Sequence, residues 1–170
     1  GVVNFIYERF RNKGVVNMAN SVKPFQIHVP EEVLNDLFAR IKNTRWPGEI
    51  TDSDWDYGSN LAYVKELCDY WVESFSWSYQ EDRLNKFPQF TTDVSGLNIH
   101  FIHKKGVGPD PIPLLITHGW PSTFAEMVDI IPLLTDPGSY GADPSDNFDV
   151  IVPSLPGYGF SQKPTESGMD

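Results

Sequence analysis

At 170 residues the chain is long enough for one domain, or for a small domain joined to part of another, and with 40% hydrophobic and 14% aromatic content it can build a packed core rather than stay disordered. The formal net charge of −10 argues against a nucleic-acid partner, because binding phosphates requires a basic face. No apolar run reaches the roughly 20 residues of a membrane-crossing helix, so no transmembrane segment is expected. The single cysteine, Cys68, cannot form an internal disulfide; it reads as a small core residue and fits a reducing, cytoplasmic location.

Residues 1–17 carry Glu8, Arg9, Arg11 and Lys13 among Phe5, Ile6, Tyr7 and Phe10, which breaks any signal-peptide pattern. Met18 looks like a natural start, and residues 1–23 are expected to be a disordered leader. Residues 24–89 form the first structured region, and helical periodicity runs from Pro30 to Phe87. Pro30 suits a first helical position, Glu31 and Glu32 suit the positive end of the dipole, and Leu34, Leu37, Phe38 and Ile41 line one face. Thr44-Arg45-Trp46-Pro47-Gly48 stops that helix. After the acidic, irregular stretch from Glu49 to Ser59, a second helix presents Leu61, Val64, Leu67, Cys68, Trp71 and Phe75 at intervals of three and four. A third, near Tyr79 to Phe87, is closed by Pro88. Trp46, Trp55, Trp71 and Trp77 read as packing residues.

After Pro88 the period changes to two, and residues 90–170 read as the start of an α/β core. Phe90–Val94, a Ser95-Gly96 turn and Leu97–Phe101 predict an antiparallel hairpin. Ile112–Thr117 reads as a buried strand; a helix follows, with Thr123 and Glu126 in capping-box spacing ahead of Met127, Val128 and Ile131. A surface loop spans Thr135–Asn147, and Phe148–Val152 is a second, parallel strand. The expected fold class is therefore α/β: a helical segment, an antiparallel hairpin, then parallel βαβ.

Between the first parallel strand and its helix stands His118-Gly119-Trp120-Pro121. A strand, a sharp turn and a helix point backbone N–H groups into one small space, which suits an oxyanion. The Trp120 N–H is the donor best placed to face that space, Gly119 is expected to use a positive φ, and His118 is expected to fix the loop through its neighbours' backbone. Ser154 to Ser161 follows the second strand at its carboxyl end, where ligands of open α/β sheets bind; Pro156, Gly157, Tyr158 and Phe160 would shape the rim of a pocket. Ser154 and Ser161 are nucleophiles on paper only, since neither lies in Gly-x-Ser-x-Gly. The spacing of His28, His100, His103 and His118 suits no metal, and no cofactor is expected.

Pro24-Phe25-Gln26-Ile27, Arg45-Trp46-Pro47, Tyr70-Trp71, Leu84–Phe90 and Ile99–His103, taken in order, resemble the N-terminal domain of microsomal-type epoxide hydrolases. His118–Pro121 and Pro153–Ser161 are similar to the same family's α/β-hydrolase core. The resemblance implies an enzyme that converts small apolar epoxides to vicinal diols through an aspartyl ester. Of its machinery only the oxyanion donor, the Trp120 N–H, maps onto this chain. The nucleophile, two lid tyrosines, the histidine and its carboxylate would lie beyond Asp170, in a missing C-terminal half. The isolated chain is then expected to be inactive and to self-associate. A non-catalytic binding or regulatory module on the same fold is the alternative.

Overall fold

The computed structural model of the chain describes residues 22–168, which fall into two compact units: residues 27–82, and residues 22–26 with 83–168. Apart from Val22 and Lys23, the expected leader lies outside the described residues.

The smaller unit is helical. Helix α1 (Glu31–Lys42) has Glu31 and Glu32 in the first turn and Arg40 and Lys42 in the last, each complementing the helix dipole. Pro30 flanks this helix at the cap, one position earlier than its sequence preference predicts, because its ψ of 146° is still extended. Leu34, Leu37, Phe38 and Ile41 are the half-buried residues of α1, as the periodicity requires. Helix α2 (Leu61–Glu73) is capped by Asn60, whose side chain accepts the Tyr63 N–H at 2.9 Å. Leu61, Val64 and Cys68 are half-buried, but Leu67 and Trp71 are exposed and line an open apolar groove of about 690 Å³ with Leu34, Leu37 and Phe75. Trp55 is exposed too, resting on the Tyr63 ring, so packing accounts for only part of the tryptophan content. Helix α3 spans Trp77–Leu84.

The larger unit is built on a five-stranded mixed sheet. Its strands are β1 (Lys23–Phe25), β2 (Gln89–Val94), β3 (Leu97–Lys104), β4 (Ile112–Leu115) and β5 (Phe148–Pro153), in the order β1-β2-β3-β5-β4. The hairpin β2–β3 turns at Ser95 and Gly96, both at positive φ, and Asp93 Oδ1 accepts the Gly96 N–H. Strand β1, which sequence periodicity does not reveal in three residues, pairs antiparallel with β2. Strand β5 is antiparallel to β3 and parallel to β4. Ile102, Val150 and Val152 meet Phe124, Val128 and Ile131 in burial and make the core of this unit.

Two expectations are corrected here. Strand β4 is exposed rather than buried: Ile112 and Leu115 are 57% and 47% accessible, because among the described residues β4 has a partner on one side only. The segment after His118–Pro121 is not one helix. It is a 3-10 turn, Phe124–Met127, followed by the short helix α4 (Ile131–Thr135). The Thr123 hydroxyl caps Ala125 at 3.3 Å instead of the residue a capping box would engage, and Pro132 restarts the helix at its first turn.

One buried side chain organises the approach to β4. Asn147, fully inaccessible, donates through Nδ2 to the carbonyls of Pro109 and Pro144, at 2.9 and 3.1 Å. Gly106 and Gly108 lie against it so closely that a Cβ on either would collide with the Asn147 amide.

Candidate functional site

The loop after β4 and the loop after β5 meet at one imidazole. The Leu155 N–H donates to His118 Nε2 at 3.1 Å, so that nitrogen must carry its lone pair. The proton of the neutral ring is therefore on Nδ1, which lies 3.1 Å from the Gly119 carbonyl and donates to it. Ser122 N–H donates to the same carbonyl at 3.0 Å, using the second lone pair. The Tyr158 ring packs edge-on to His118 with centroids 5.3 Å apart. His118 is buried and joins the two loops.

These bonds fix the Gly119–Trp120 peptide. Its carbonyl is held twice, so the Trp120 N–H on the opposite side is aimed away, and it has no acceptor among the described residues. The Trp120–Pro121 peptide is cis. The indole is 81% exposed and stacks on no other ring among the described residues, so Trp120 is not core filling. Gly119 departs from expectation. Its φ is not positive, and a Cβ there would meet nothing within 4 Å. Replacing Gly119 with Ala should leave the unfolding midpoint of the chain unchanged within error in urea titration; a clear loss would contradict this geometry.

The loop after β5 is held by a buried polar cluster that the sequence does not announce. His100 on β3 is fully inaccessible and boxed by the rings of Phe25, Phe124 and Phe160, with centroids 4.8–5.4 Å away. Its Nε2 lies 2.8 Å from Gln89 Oε1 and its Nδ1 2.8 Å from Ser154 Oγ. Gln89 Nε2 donates to the Leu84 carbonyl at 3.0 Å, which leaves Oε1 as the acceptor facing His100. His100 thus donates through Nε2 and accepts from the Ser154 hydroxyl. Burial pushes its pKa down to about 4, keeping the ring neutral.

Ser154, His100 and Gln89 have the connectivity of a catalytic serine triad, but Ser154 and His100 are both sealed from solvent. Access, not hydrogen bonding, rules the pair out as a nucleophile and base. Ser161 is tied in as well: its hydroxyl accepts the His100 N–H at 2.9 Å and donates to the Ser154 carbonyl at 2.7 Å. Gly159, at φ +51°, closes over the cluster, and a Cβ there would sit 2.5 Å from Ser154 Oγ. Replacing Gly159 with Ala should therefore cost about 1–3 kcal/mol, read as a lower urea midpoint. An unchanged midpoint would mean that the loop is not seated on Ser154.

Of the rim residues, Gly157 is exposed at φ +84°, and Pro156 and Tyr158 are half-exposed. Phe160 is half-exposed like Pro156 and Tyr158, with its ring against Phe25 and His100. The signal that could have found Gln89 and His100 is their polarity at inward strand positions, where Ile102 follows two residues on. Among the described residues no three His, Cys, Asp or Glu side chains are grouped to hold a metal ion, and no helix is long and apolar enough to cross a membrane.

Residues 22–127 match the sequence profile of the family described as epoxide hydrolase N terminus. Epoxide hydrolase 1 of Oryctolagus cuniculus is 44% identical over 154 residues, covering 88% of this chain and 34% of the relative. The crystal structure of juvenile hormone epoxide hydrolase from the silkworm Bombyx mori is similar at a TM-score of 0.77 and 35% identity, over 88% of this chain and 35% of that one. The structure of Aspergillus niger epoxide hydrolase gives 0.75 and 34%, over 87% and 38%. The chain spans about a third of the length of the relatives it matches.

Proposed function

Because the chain belongs to the epoxide hydrolase N-terminus family, we propose that it provides the oxyanion loop and part of the pocket wall of an enzyme that opens epoxides to vicinal diols. In this reading a carboxylate on a segment outside the chain attacks an epoxide carbon. The C–O bond breaks, the oxygen takes a proton from a lid tyrosine, and an alkyl ester remains. Water, activated by a histidine, then attacks the ester carbonyl carbon. The negative charge that gathers on the carbonyl oxygen is met by the Trp120 N–H. Collapse expels the alkoxide, which takes from the histidine the proton won from water. The proton left on the acid returns to the tyrosinate, giving the diol and the free carboxylate.

The observation that carries the reading is the peptide at Gly119–Trp120, whose carbonyl accepts two hydrogen bonds while its N–H has no acceptor among the described residues. A donor held in place before charge appears costs no reorganisation when the charge develops. Its position is set by the backbone, so Trp120→Phe should retain most activity.

The test joins this chain to the C-terminal two-thirds of a homologous epoxide hydrolase and measures diol formed from styrene oxide. The joined protein should make diol, and the 170-residue chain alone should not exceed the uncatalysed rate. No diol from a folded joined protein would sink the reading. The open apolar groove beside α1 and α2 favours a second reading, a binding module without chemistry, and that result would promote it.

A further inference from the structure

The hydrogen bonds around His118 run in a single direction over four links. The His100 N–H donates to Ser161 Oγ, and the Ser161 hydroxyl donates to the Ser154 carbonyl. The N–H across that same peptide, on Leu155, donates to His118 Nε2. His118 Nδ1–H then donates to the Gly119 carbonyl, and the N–H across that peptide is Trp120. Each direction follows from chemistry: carbonyls only accept, backbone N–H groups only donate, and a hydroxyl or imidazole that accepts at one point is left to donate at the other.

We infer that Ser161 and His118 are positioning residues, links in a one-way relay that begins on the buried strand β3 and aims and polarises the Trp120 N–H. Aligned donors polarise one another, so each link strengthens the next acceptor–donor pair and the final N–H carries more positive charge than an isolated peptide. The relay holds the Ser154–Leu155 peptide by both its carbonyl and its N–H, and the Gly119–Trp120 peptide by its carbonyl. His103 and Lys104 pair with Ile151 and Val150 further along the sheet, Asp149 accepts the Gly106 N–H, and none of the three takes part. The inference rests on Trp120 being the oxyanion donor, but its geometry can be tested without turnover.

Imidazole nitrogen shifts distinguish a protonated from a bare nitrogen, and magic-angle-spinning NMR reads them on sedimented protein, whatever its association state. His118 should be the Nδ1–H tautomer and His100 the Nε2–H tautomer, assigned by loss of each signal in His118→Gln and His100→Gln. Ser161→Ala removes the hydroxyl that holds the Ser154–Leu155 peptide. It should shift His118 toward a mixture of tautomers and move the Trp120 amide proton upfield, although Ser161 hydrogen-bonds to neither residue. Ser161→Thr, which keeps the hydroxyl, should restore both signals. The relay is overturned by an Nε2–H tautomer at His118, or by Ser161→Ala spectra at His118 and Trp120 that match the parent. If Ser161→Ala does not fold, failure of Ser161→Thr to keep the parent tautomer overturns it equally. In the joined enzyme, Ser161→Ala should lower kcat about tenfold with little change in KM, short of the ~100- to 1,000-fold loss on deleting an oxyanion donor outright. Parent tautomers in a joined protein that forms no diol would fail the epoxide-hydrolase reading and leave the relay standing.

Discussion

Lowering the pH from 7 to 4 is expected to remove about 3 kcal/mol of stability through His100 alone. The ring titrates near 6.5 in the unfolded chain and near 4 in the folded one, because burial among Phe25, Phe124 and Phe160 penalises its charged form. Above pH 6.5 both states hold the neutral ring and the effect vanishes. Between 6.5 and 4 the unfolded state binds a proton that the folded state refuses, so stability falls as pH falls. Below 4 both are charged and this contribution levels off. Carboxylates titrate in the same range, so the measurement is a difference. Urea unfolding of the parent and of His100→Gln, each followed from pH 7 to 4 by tryptophan fluorescence, isolates it. The parent should lose about 3 kcal/mol more than the variant. Parallel pH curves would mean that His100 is not held neutral by its site.

The second large effect is self-association. Strand β4 meets β5 through the N–H groups of Ile112 and Ile116, so alternation turns Pro113 and Leu115 to the free edge. Pro113 removes one donor there, which explains how a proline is tolerated in the strand. It leaves the carbonyl of Pro113 and both backbone groups of Leu115 open, beside exposed Ile112 and Leu115 side chains. Such an edge recruits another chain. Freshly purified protein should sediment as a range of species larger than 19.3 kDa. The pair Ile112→Lys and Leu115→Lys should return most of it to monomer, and that background suits the pH measurement above. A sharp parent monomer with cooperative unfolding would show that β4 needs no cover.

Much of this architecture is legible in the sequence because periodicity reports burial. Leu34, Leu37, Phe38 and Ile41 repeat at helical intervals, and the hairpin is marked by Ser95-Gly96 between alternating strands. The exposure of β4 is not legible in the run itself, since an aliphatic run reads the same whether one neighbour or two covers it; only the family resemblance, which sets an absent strand beside it, implies an open edge. The break after Met127 escapes for a different reason: Thr123 and Glu126 have the right spacing, but the cap closes on Ala125. At the candidate site the motif residues His118 to Pro121 announce themselves, while the bonds that orient them do not. Gln89, His100, Ser154 and Ser161 are separated by up to 72 positions and come together only through strand register. Gly119 shows the limit of reasoning by residue type, since glycine is present there without the positive φ that its presence invites one to assume.

The amide of Asn147 also restricts which mutational routes are open to this chain. Gly106 abuts its oxygen, Gly108 abuts its nitrogen and the backbone of Pro144, and Nδ2 bridges the carbonyls of Pro109 and Pro144. A side chain at Gly106 is blocked by the Asn147 oxygen and by Pro111 Cβ, 2.6 Å away, and shortening Asn147 removes the donor that the Pro109 and Pro144 carbonyls share. Single-step drift at either position therefore passes through a less stable intermediate, and at Gly108 even a smaller residue 147 leaves the Pro144 oxygen in the way. Random libraries of this protein should recover almost no substitutions at 106 or 108, even in company with one at 147.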